Sequence, residues 1–165
     1  MSTNAAHTRW WQIFEVVFGV PFLIALALHL TLPLAIPRWF LTPIFLPSGM
    51  ALIMVGAVLV TFARRELAQQ GQPTDPGQPT STIVKTGVFS FSRNPLYLGG
   101  VCILVGIAFV FKLLWLFVLL LPALVACHYV LIVPEERYLA ANFGGEYRTY
   151  ATTVQRWIGR AHHPR

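Results

Sequence analysis

The segment Ile83–Gly100 reads IVKTGVFSFSRNPLYLGG and joins a polar, proline-rich stretch to a long apolar one. Pro95 suits the first turn of a helix because it has no N–H to donate, and Asn94 is a favoured N-cap residue. The sequence therefore predicts a helix that begins at Pro95, with Arg93 just outside it and Tyr97 in its first turn. The free N–H groups and the dipole of this helix end, together with Arg93, would attract an anionic ligand group.

The composition is that of a membrane protein. Of the 165 residues, 56% are hydrophobic and 11% are charged, whereas soluble domains contain about 25% charged residues. The length predicts a single membrane domain, residues 1–165. The net charge of +6 does not indicate a nucleic-acid partner, because the basic residues form no patch with interleaved aromatic side chains. Cys102 and Cys127 lack metal-site or redox spacing, which predicts no metal and two small buried side chains.

Four membrane spans account for the apolar segments, and the fold class that we predict is all-α. The predicted spans are residues 13–36, 44–63, 96–111 and 113–133. Each would cross much of a hydrocarbon core of about 30 Å. A single helix over residues 96–133 would be about 57 Å long, so we expect a helical hairpin that turns near Phe111 and Lys112.

Glycine residues indicate where these helices approach one another. Gly49 and Gly56 in the second span would allow close helix packing. Gly99, Gly100 and Gly106 in the third span are expected to bring the two helices of the hairpin together.

The basic residues divide unequally between the two sides of this arrangement. Ten of the twelve lie on the side of both termini, and only Arg38 and Lys112 lie on the other. The positive-inside rule therefore predicts cytoplasmic termini, a cytoplasmic loop 64–95 and a cytoplasmic tail 134–165. We expect an integral protein of a bacterial inner membrane, with membrane lipid as its surroundings.

The tail contains a second group of candidate site residues. Glu135 and Glu136 stand where the last span leaves the membrane, and two carboxylates there are costly unless they meet cations or donors. They either neutralise nearby arginines or bind a cationic or polyhydroxylated ligand. An aromatic stripe then predicts an amphipathic helix along the headgroups, either a plain anchor or part of a site. The stripe consists of Phe143, Tyr147, Tyr150, Val154 and Trp157.

Three other features each have two interpretations. His29, deep in the first span, is either a functional group or a packed, hydrogen-bonded side chain. His128 is seven residues before Glu135, so α-helical spacing predicts that both lie on one face, where core packing is the simpler explanation. The Pro-, Gly-, Gln- and Thr-rich loop 67–82 is either a linker or a lid.

The C-terminal half of the chain resembles a group of membrane methyltransferases that includes isoprenylcysteine carboxyl methyltransferases and phospholipid N-methyltransferases. The resemblance covers Ile83–Trp157 in the order and spacing of that family, whereas the first two spans match only in being hydrophobic. The matching segments are TGVF at 86–89, SRNPLYLG at 92–99, PEERYL at 134–139, FGGEY at 143–147, Tyr150 and VQRW at 154–157.

This resemblance implies methyl transfer from S-adenosylmethionine, with S-adenosylhomocysteine as product, to a lipophilic or membrane-associated small molecule. It implies cofactor contacts at Gly87, Arg93, Asn94, Tyr97, Leu98, Gly99, Glu135 and Glu136. By position, Tyr147, Tyr150 and Arg156 are expected to shape the substrate side as candidate catalytic residues, with Arg156 holding an anionic group.

Two other functions are weighed against this one. An NADPH-dependent membrane reductase of the sterol reductase type would have a longer chain and more basic residues for the 2′-phosphate. A non-enzymatic membrane subunit or transporter would favour charges at mid-membrane, whereas the carboxylates here cluster at one interface. A methyl donor fits the charges better, because its carboxylate suits Arg93 and its ammonium and ribose hydroxyls suit the glutamates.

Overall fold

The computed structural model describes residues 14–73 and 80–160, and within them the fold is all-helical, as predicted. The chain termini and residues 74–79 of the predicted loop lie outside the described residues. The described part contains no β-strand, only an isolated bridge between Val154 and Arg160. The α-helices are α1, Phe14–Thr31; α2, Phe45–Gln69; α3, Pro95–Phe111; α4, Leu114–Ala126; and α5, Val133–Thr153. A π-helical segment, Cys127–Ile132, joins α4 to α5, and 3₁₀ turns lie at Arg38–Leu41 and Gly87–Ser90.

Within the described residues, three helical stretches are long and apolar enough to cross a membrane: α1, α2 and the 40 residues Leu114–Thr153, which include α4, the π-helical segment and α5. The remaining apolar helix, α3, has 17 residues, or about 26 Å of length. Large apolar side chains point outward, since Leu23, Met54 and Leu121 are 63%, 65% and 68% exposed. Such a surface suits lipid and not water. The chain is an integral membrane protein.

The predicted hairpin is present. Helix α3 ends at Phe111, and Lys112 takes a left-handed conformation with φ of 55° before α4 begins at Leu114. A left-handed residue of this kind is a common way to end a helix. Helix α2 continues past Arg64 to Gln69, so the loop begins later than predicted. Charged residues mark where the helix leaves hydrocarbon, but they do not interrupt its backbone hydrogen bonds.

Glycines seven residues apart pack α2 against α3. A Cβ on Gly49 would lie 2.8 Å from the carbonyl oxygen of Gly106, and a Cβ on Gly56 would overlap the carbonyl oxygen of Gly99. The helices are therefore antiparallel, and the predicted role of Gly49 and Gly56 is confirmed. The predicted partner of the α3 glycines was wrong, because Gly99 and Gly106 face α2 and not α4. Sequence spacing gives the packing face but not the helix that covers it.

A second interface joins α1, α3 and α4. Its buried core includes Phe18, Leu116 and the buried Cys127, while Cys102 is half-buried. Trp115 at the start of α4 donates its indole N–H to the carbonyl oxygen of Leu32, just after α1, over 2.8 Å. Helices α1 and α4 are therefore antiparallel. The end of the bundle where α1 begins, α2 ends and α3 and α5 begin is called the polar end below.

The aromatic stripe of the tail packs against protein. Tyr147, Tyr150 and Val154 are buried against Ile83 from the loop before α3. Helix α5 is kinked at Gly144, where φ is 51° and ψ is −118°, and it ends at Thr153. Gly144 tolerates the positive φ of this kink because it has no side chain. The chain turns back after Thr153, so the prediction that helical spacing continues to Trp157 was wrong.

Candidate active site

Two segments that are distant in sequence meet at the polar end. Nη1 of Arg93 lies 3.0 Å from Oε1 of Glu136. The same nitrogen donates to the hydroxyl of Tyr147 over 3.2 Å. The side chains of Arg93 and Glu136 are 13% and 18% exposed, so water screens this ion pair only weakly. The structure thus brings together the arginine before α3 and a glutamate of α5, which the sequence predicted to converge.

Arg156 binds the same carboxylate from the other side. Its Nε and Nη2 donate to the two oxygens of Glu136 over 2.9 Å and 2.7 Å. These hydrogen bonds raise the pKa of the Arg156 guanidinium above its usual value. The two-point contact is the strong form of an arginine–carboxylate pair. An anionic substrate group at Arg156 would therefore have to share this guanidinium with Glu136.

Asn94 connects the start of α3 to the tail. It occupies the predicted N-cap position, but its side chain makes no capping hydrogen bond. Its Nδ2 donates to the carbonyl oxygen of Arg156 over 3.0 Å. The backbone N–H of Arg93 donates to the carbonyl oxygen of Gln155 over 3.1 Å. The residues after α5 are thereby held alongside the residues before α3, which places Arg156 beside Arg93.

Glu135 belongs to a separate contact. The hydroxyl of Tyr97, which is 5% exposed, donates to Oε2 of Glu135 over 3.1 Å. The ring of Phe14 stacks on that of Tyr97 with centroids 6.2 Å apart. Adjacent residues of an α-helix point about 100° apart. The two glutamates consequently diverge, with Glu135 on Tyr97 and Glu136 on the arginines.

The prediction for His128 rested on α-helical spacing, which does not apply here. The π-helical segment Cys127–Ile132 lies between His128 and Glu135 and has more residues per turn. The His128 ring stands edge-on to the ring of Tyr129, with centroids 4.8 Å apart. Within the described ranges, no three His, Cys, Asp or Glu side chains are grouped to hold a metal ion.

Glu66, near the end of α2, contacts the loop before α3, a contact that the sequence did not predict. It accepts a hydrogen bond from the hydroxyl of Thr86. Gly87 has φ of 55°, and a Cβ there would lie 2.5 Å from Oε2 of Glu66. Gly87 therefore lets the loop approach a carboxylate of α2. The charges that follow the second apolar segment were the available signal, but they were used only to assign topology.

Three further predicted site residues, Leu98, Gly99 and Tyr150, make contacts within the protein. Gly99 faces Gly56 in the α2–α3 interface, and the backbone N–H of Leu98 bonds to the carbonyl oxygen of Asn94 over 3.0 Å. The hydroxyl of Tyr150 donates to the carbonyl oxygen of Phe89 over 2.7 Å. Tyr150 thus holds the loop before α3, and Gly99 packs helices.

A cleft of about 300 Å³, called the lateral cleft below, lies beside Tyr97 at the polar end. It is bordered by α1, α2 and α3 and is mostly apolar, with one acidic and one basic side chain. Its lining residues are Phe14, Glu15, Val60, Arg64, Leu96, Tyr97, Gly100 and Ile103. Tyr97 therefore contacts both this cleft and the carboxylate of Glu135.

A family model described as phospholipid methyltransferase matches residues 44–146, more than half of the chain. The match includes α2, which the sequence analysis compared only by hydrophobicity, and it ends before Tyr147. No curated protein and no solved structure matches the chain. The family suggested by the residue motifs is confirmed: this membrane protein belongs to the phospholipid methyltransferase family.

Proposed function

We propose that residues 1–165 form one enzyme domain that transfers a methyl group from S-adenosylmethionine to a lipophilic or membrane-associated small molecule. The family match supports methyl transfer. We place the reaction at the cytoplasmic face of a bacterial inner membrane, with both termini in the cytoplasm. The excess of basic residues on that side supports this orientation.

The observation that carries the proposal is a buried donor on Arg93. Its Nε is buried and has no hydrogen-bond partner among the described residues, although Nη1 of the same guanidinium contacts Glu136 and Tyr147. A buried donor without a partner costs about 1–3 kcal/mol. A carboxylate on a bound molecule would remove that cost, and S-adenosylmethionine carries one.

The charges around Arg93 suit the rest of the same molecule. Glu135 and Glu136 offer carboxylates to an ammonium group and to ribose hydroxyls. The stacked rings of Phe14 and Tyr97 offer an aromatic surface to a sulfonium cation. We assign cofactor binding chiefly to Arg93, Tyr97 and the two glutamates.

When bound, S-adenosylmethionine supplies an electrophilic methyl group. The residues of the chain then have to align the acceptor and exclude water, and an acceptor that carries a proton on its attacking atom has to release that proton to solvent. Tyr147 and Arg156 both contact the Arg93–Glu136 pair, so we place them beside the acceptor. Asn94 and Tyr150 position the tail and the loop that carry these groups.

The surroundings of Tyr97 suit two ligands of different polarity. A polar cofactor would reach the Arg93–Glu136 group from the cytoplasm. A lipophilic acceptor would approach from the bilayer through the lateral cleft, which is lined by Tyr97, the hydrogen-bond donor to Glu135. This arrangement favours methyl transfer at the membrane surface.

The test is methyl transfer into lipid. Purified protein in bilayers made from a bacterial lipid extract is incubated with S-adenosylmethionine labelled in its methyl group. We expect label in the organic-soluble fraction, and at least about tenfold less with Glu135→Gln, because an interaction of a charged group is lost. Glu146→Gln is the matched control, since that glutamate pairs with Lys85 at an exposed position. Label that is absent, or equal for the two variants, would contradict the proposal.

A further inference from the structure

We propose that Glu66 is a positioning residue of the active site. It fastens residues 86–94, called the Arg93 segment below, to the end of α2 and thereby sets where the guanidinium of Arg93 lies. This inference rests on the proposed methyl transfer, and it adds to that function a residue that acts on the cofactor through Arg93 and does not touch it.

The start of the Arg93 segment is hydrogen-bonded to α2. Oε1 of Glu66 accepts a hydrogen bond from the hydroxyl of Thr86. Gln70, the residue that follows α2, donates from its side-chain amide to the hydroxyl oxygen of Thr86 over 2.8 Å. The hydroxyl of Thr86 is therefore used both as donor and as acceptor by the end of α2, which fixes its position there.

Gly87 brings the backbone of the segment against the same carboxylate. Its φ is 55°, and a Cβ at this position would lie 2.5 Å from Oε2 of Glu66. Any other residue here would be strained by the positive φ and would push the carboxylate away. The carboxylate of Glu66 therefore lies directly against the turn that leads to Arg93.

Hydrogen bonds inside the segment connect Thr86 to Arg93. The backbone N–H of Phe89 donates to the carbonyl oxygen of Thr86 over 3.0 Å. The backbone N–H of Ser92, which is fully buried, donates to the carbonyl oxygen of Val88 over 3.3 Å. Because the segment is this compact, a displacement at Thr86 is expected to reach Arg93.

The Arg93 segment is also attached to the tail. The carbonyl oxygen of Phe89 accepts from Tyr150, and the backbone N–H of Arg93 donates to Gln155. The tail attachment holds Arg93 beside its ion-pair partners, whereas the Glu66 contact holds the same segment against α2. Loss of the Glu66 contact would free the start of the segment. The guanidinium would then be less precisely placed for a cofactor carboxylate.

The first experiment separates the contact made by Glu66 from its charge. Titration calorimetry measures the affinity of purified protein in detergent for S-adenosylhomocysteine. Glu66→Ala removes the acceptor for Thr86 and should weaken binding about fivefold. Glu66→Gln removes the charge but keeps an oxygen acceptor, so it should bind as tightly as the wild type does. Equal weakening by both variants would assign the effect to charge and overturn the proposal, as would unchanged affinity of Glu66→Ala.

Changes at Thr86 test the other side of the same contact. Thr86→Val removes the hydroxyl and should also weaken binding about fivefold, whereas Thr86→Ser keeps the hydroxyl and should restore the wild-type affinity. The double variant Glu66→Ala/Thr86→Val should bind no more weakly than either single variant, because one contact cannot be lost twice. A double variant weakened by the product of the two single effects would overturn the proposal.

Hydrogen exchange without any ligand tests the positioning itself. Peptides that cover residues 86–94 should exchange faster in Glu66→Ala than in Glu66→Gln, because the start of the segment is released. Weaker binding by Glu66→Ala without faster exchange would overturn the proposal, since the segment would not have moved.

The two readouts separate this proposal from the proposed function. Absence of S-adenosylhomocysteine binding by the wild type would contradict the methyl-transfer function and overturn the cofactor role of Glu66 with it. Binding by the wild type that Glu66→Ala leaves unchanged would overturn only the role of Glu66.

Discussion

The α2–α3 interface and the polar end both join segments that are distant in sequence, but by different kinds of contact. In the interface, Gly49, Gly56, Gly99 and Gly106 let the two backbones touch. Packing of this type is the main source of helix association in lipid, where burial of apolar surface gives little. At the polar end, ion pairs and hydrogen bonds join the segments, and the buried Nε of Arg93 has no hydrogen-bond partner among the residues that the structure describes. The first region holds the fold, and the second is where we propose that the cofactor binds.

The largest effect is expected from breaking the glycine interface. Gly56→Leu would place a side chain against the carbonyl oxygen of Gly99, so the helices would have to separate. We expect a loss of stability of about 3 kcal/mol or more and loss of folded protein. Yield, monodispersity and thermal unfolding in detergent measure it. Gly19→Leu is the matched control, because a Cβ at Gly19 meets nothing within 4 Å. Equal stability of the two variants would show that the glycine contacts do not hold the fold.

An intermediate effect is expected from the ion pairs of the polar end. Glu136→Gln would leave Arg93 and Arg156 without their shared carboxylate. We expect the free energy of unfolding to fall by about 1–2 kcal/mol, because this carboxylate is largely shielded from water. Glu146→Gln breaks a pair with Lys85 that is 41% and 51% exposed. That change should cost less than about 1 kcal/mol. Thermal unfolding of both variants measures the two losses of stability. A larger loss for Glu146→Gln than for Glu136→Gln would show that burial does not strengthen the ion pairs.

The smallest effects distinguish two tyrosines of the polar end. Tyr97→Phe removes the donor to Glu135, and Tyr150→Phe removes the donor to the carbonyl oxygen of Phe89. Each should lower stability by about 1 kcal/mol. Only Tyr97→Phe should also weaken binding of S-adenosylhomocysteine, by about fivefold. The reason is that only Tyr97 contacts Glu135, whose carboxylate we propose to bind the cofactor. Titration calorimetry of both variants decides, and equal affinities would remove Tyr97 from the site.

Local sequence signals predicted the main elements of the fold. Pro95 predicted the start of α3, and the single charge of Lys112 within an apolar run predicted the turn of the hairpin. Both signals act within a few residues, so neighbouring residues suffice to interpret them. The convergence of Arg93 with Glu136 was also predicted, because the positive-inside rule placed both on one side of the membrane.

The details that sequence did not reveal depend on which surfaces meet. Spacing showed that Gly99 and Gly106 share a face, but only the packed structure shows that α2 covers it. The π-helical segment before Glu135 changes the rotation of the chain, so the spacing from His128 was misleading. Glu66 accepts a hydrogen bond from Thr86, which lies 20 positions later in the chain, and no local pattern marks that contact.

The central claim is that the polar end holds a methyl donor through Arg93. Titration calorimetry with S-adenosylhomocysteine on purified protein in detergent tests it most directly, with Arg65→Gln as an exposed control for Arg93→Gln. The account predicts saturable binding by the wild type and by Arg65→Gln, and binding at least about tenfold weaker for a folded Arg93→Gln protein. Absence of binding by the wild type, or equal affinity of the two variants, would contradict it.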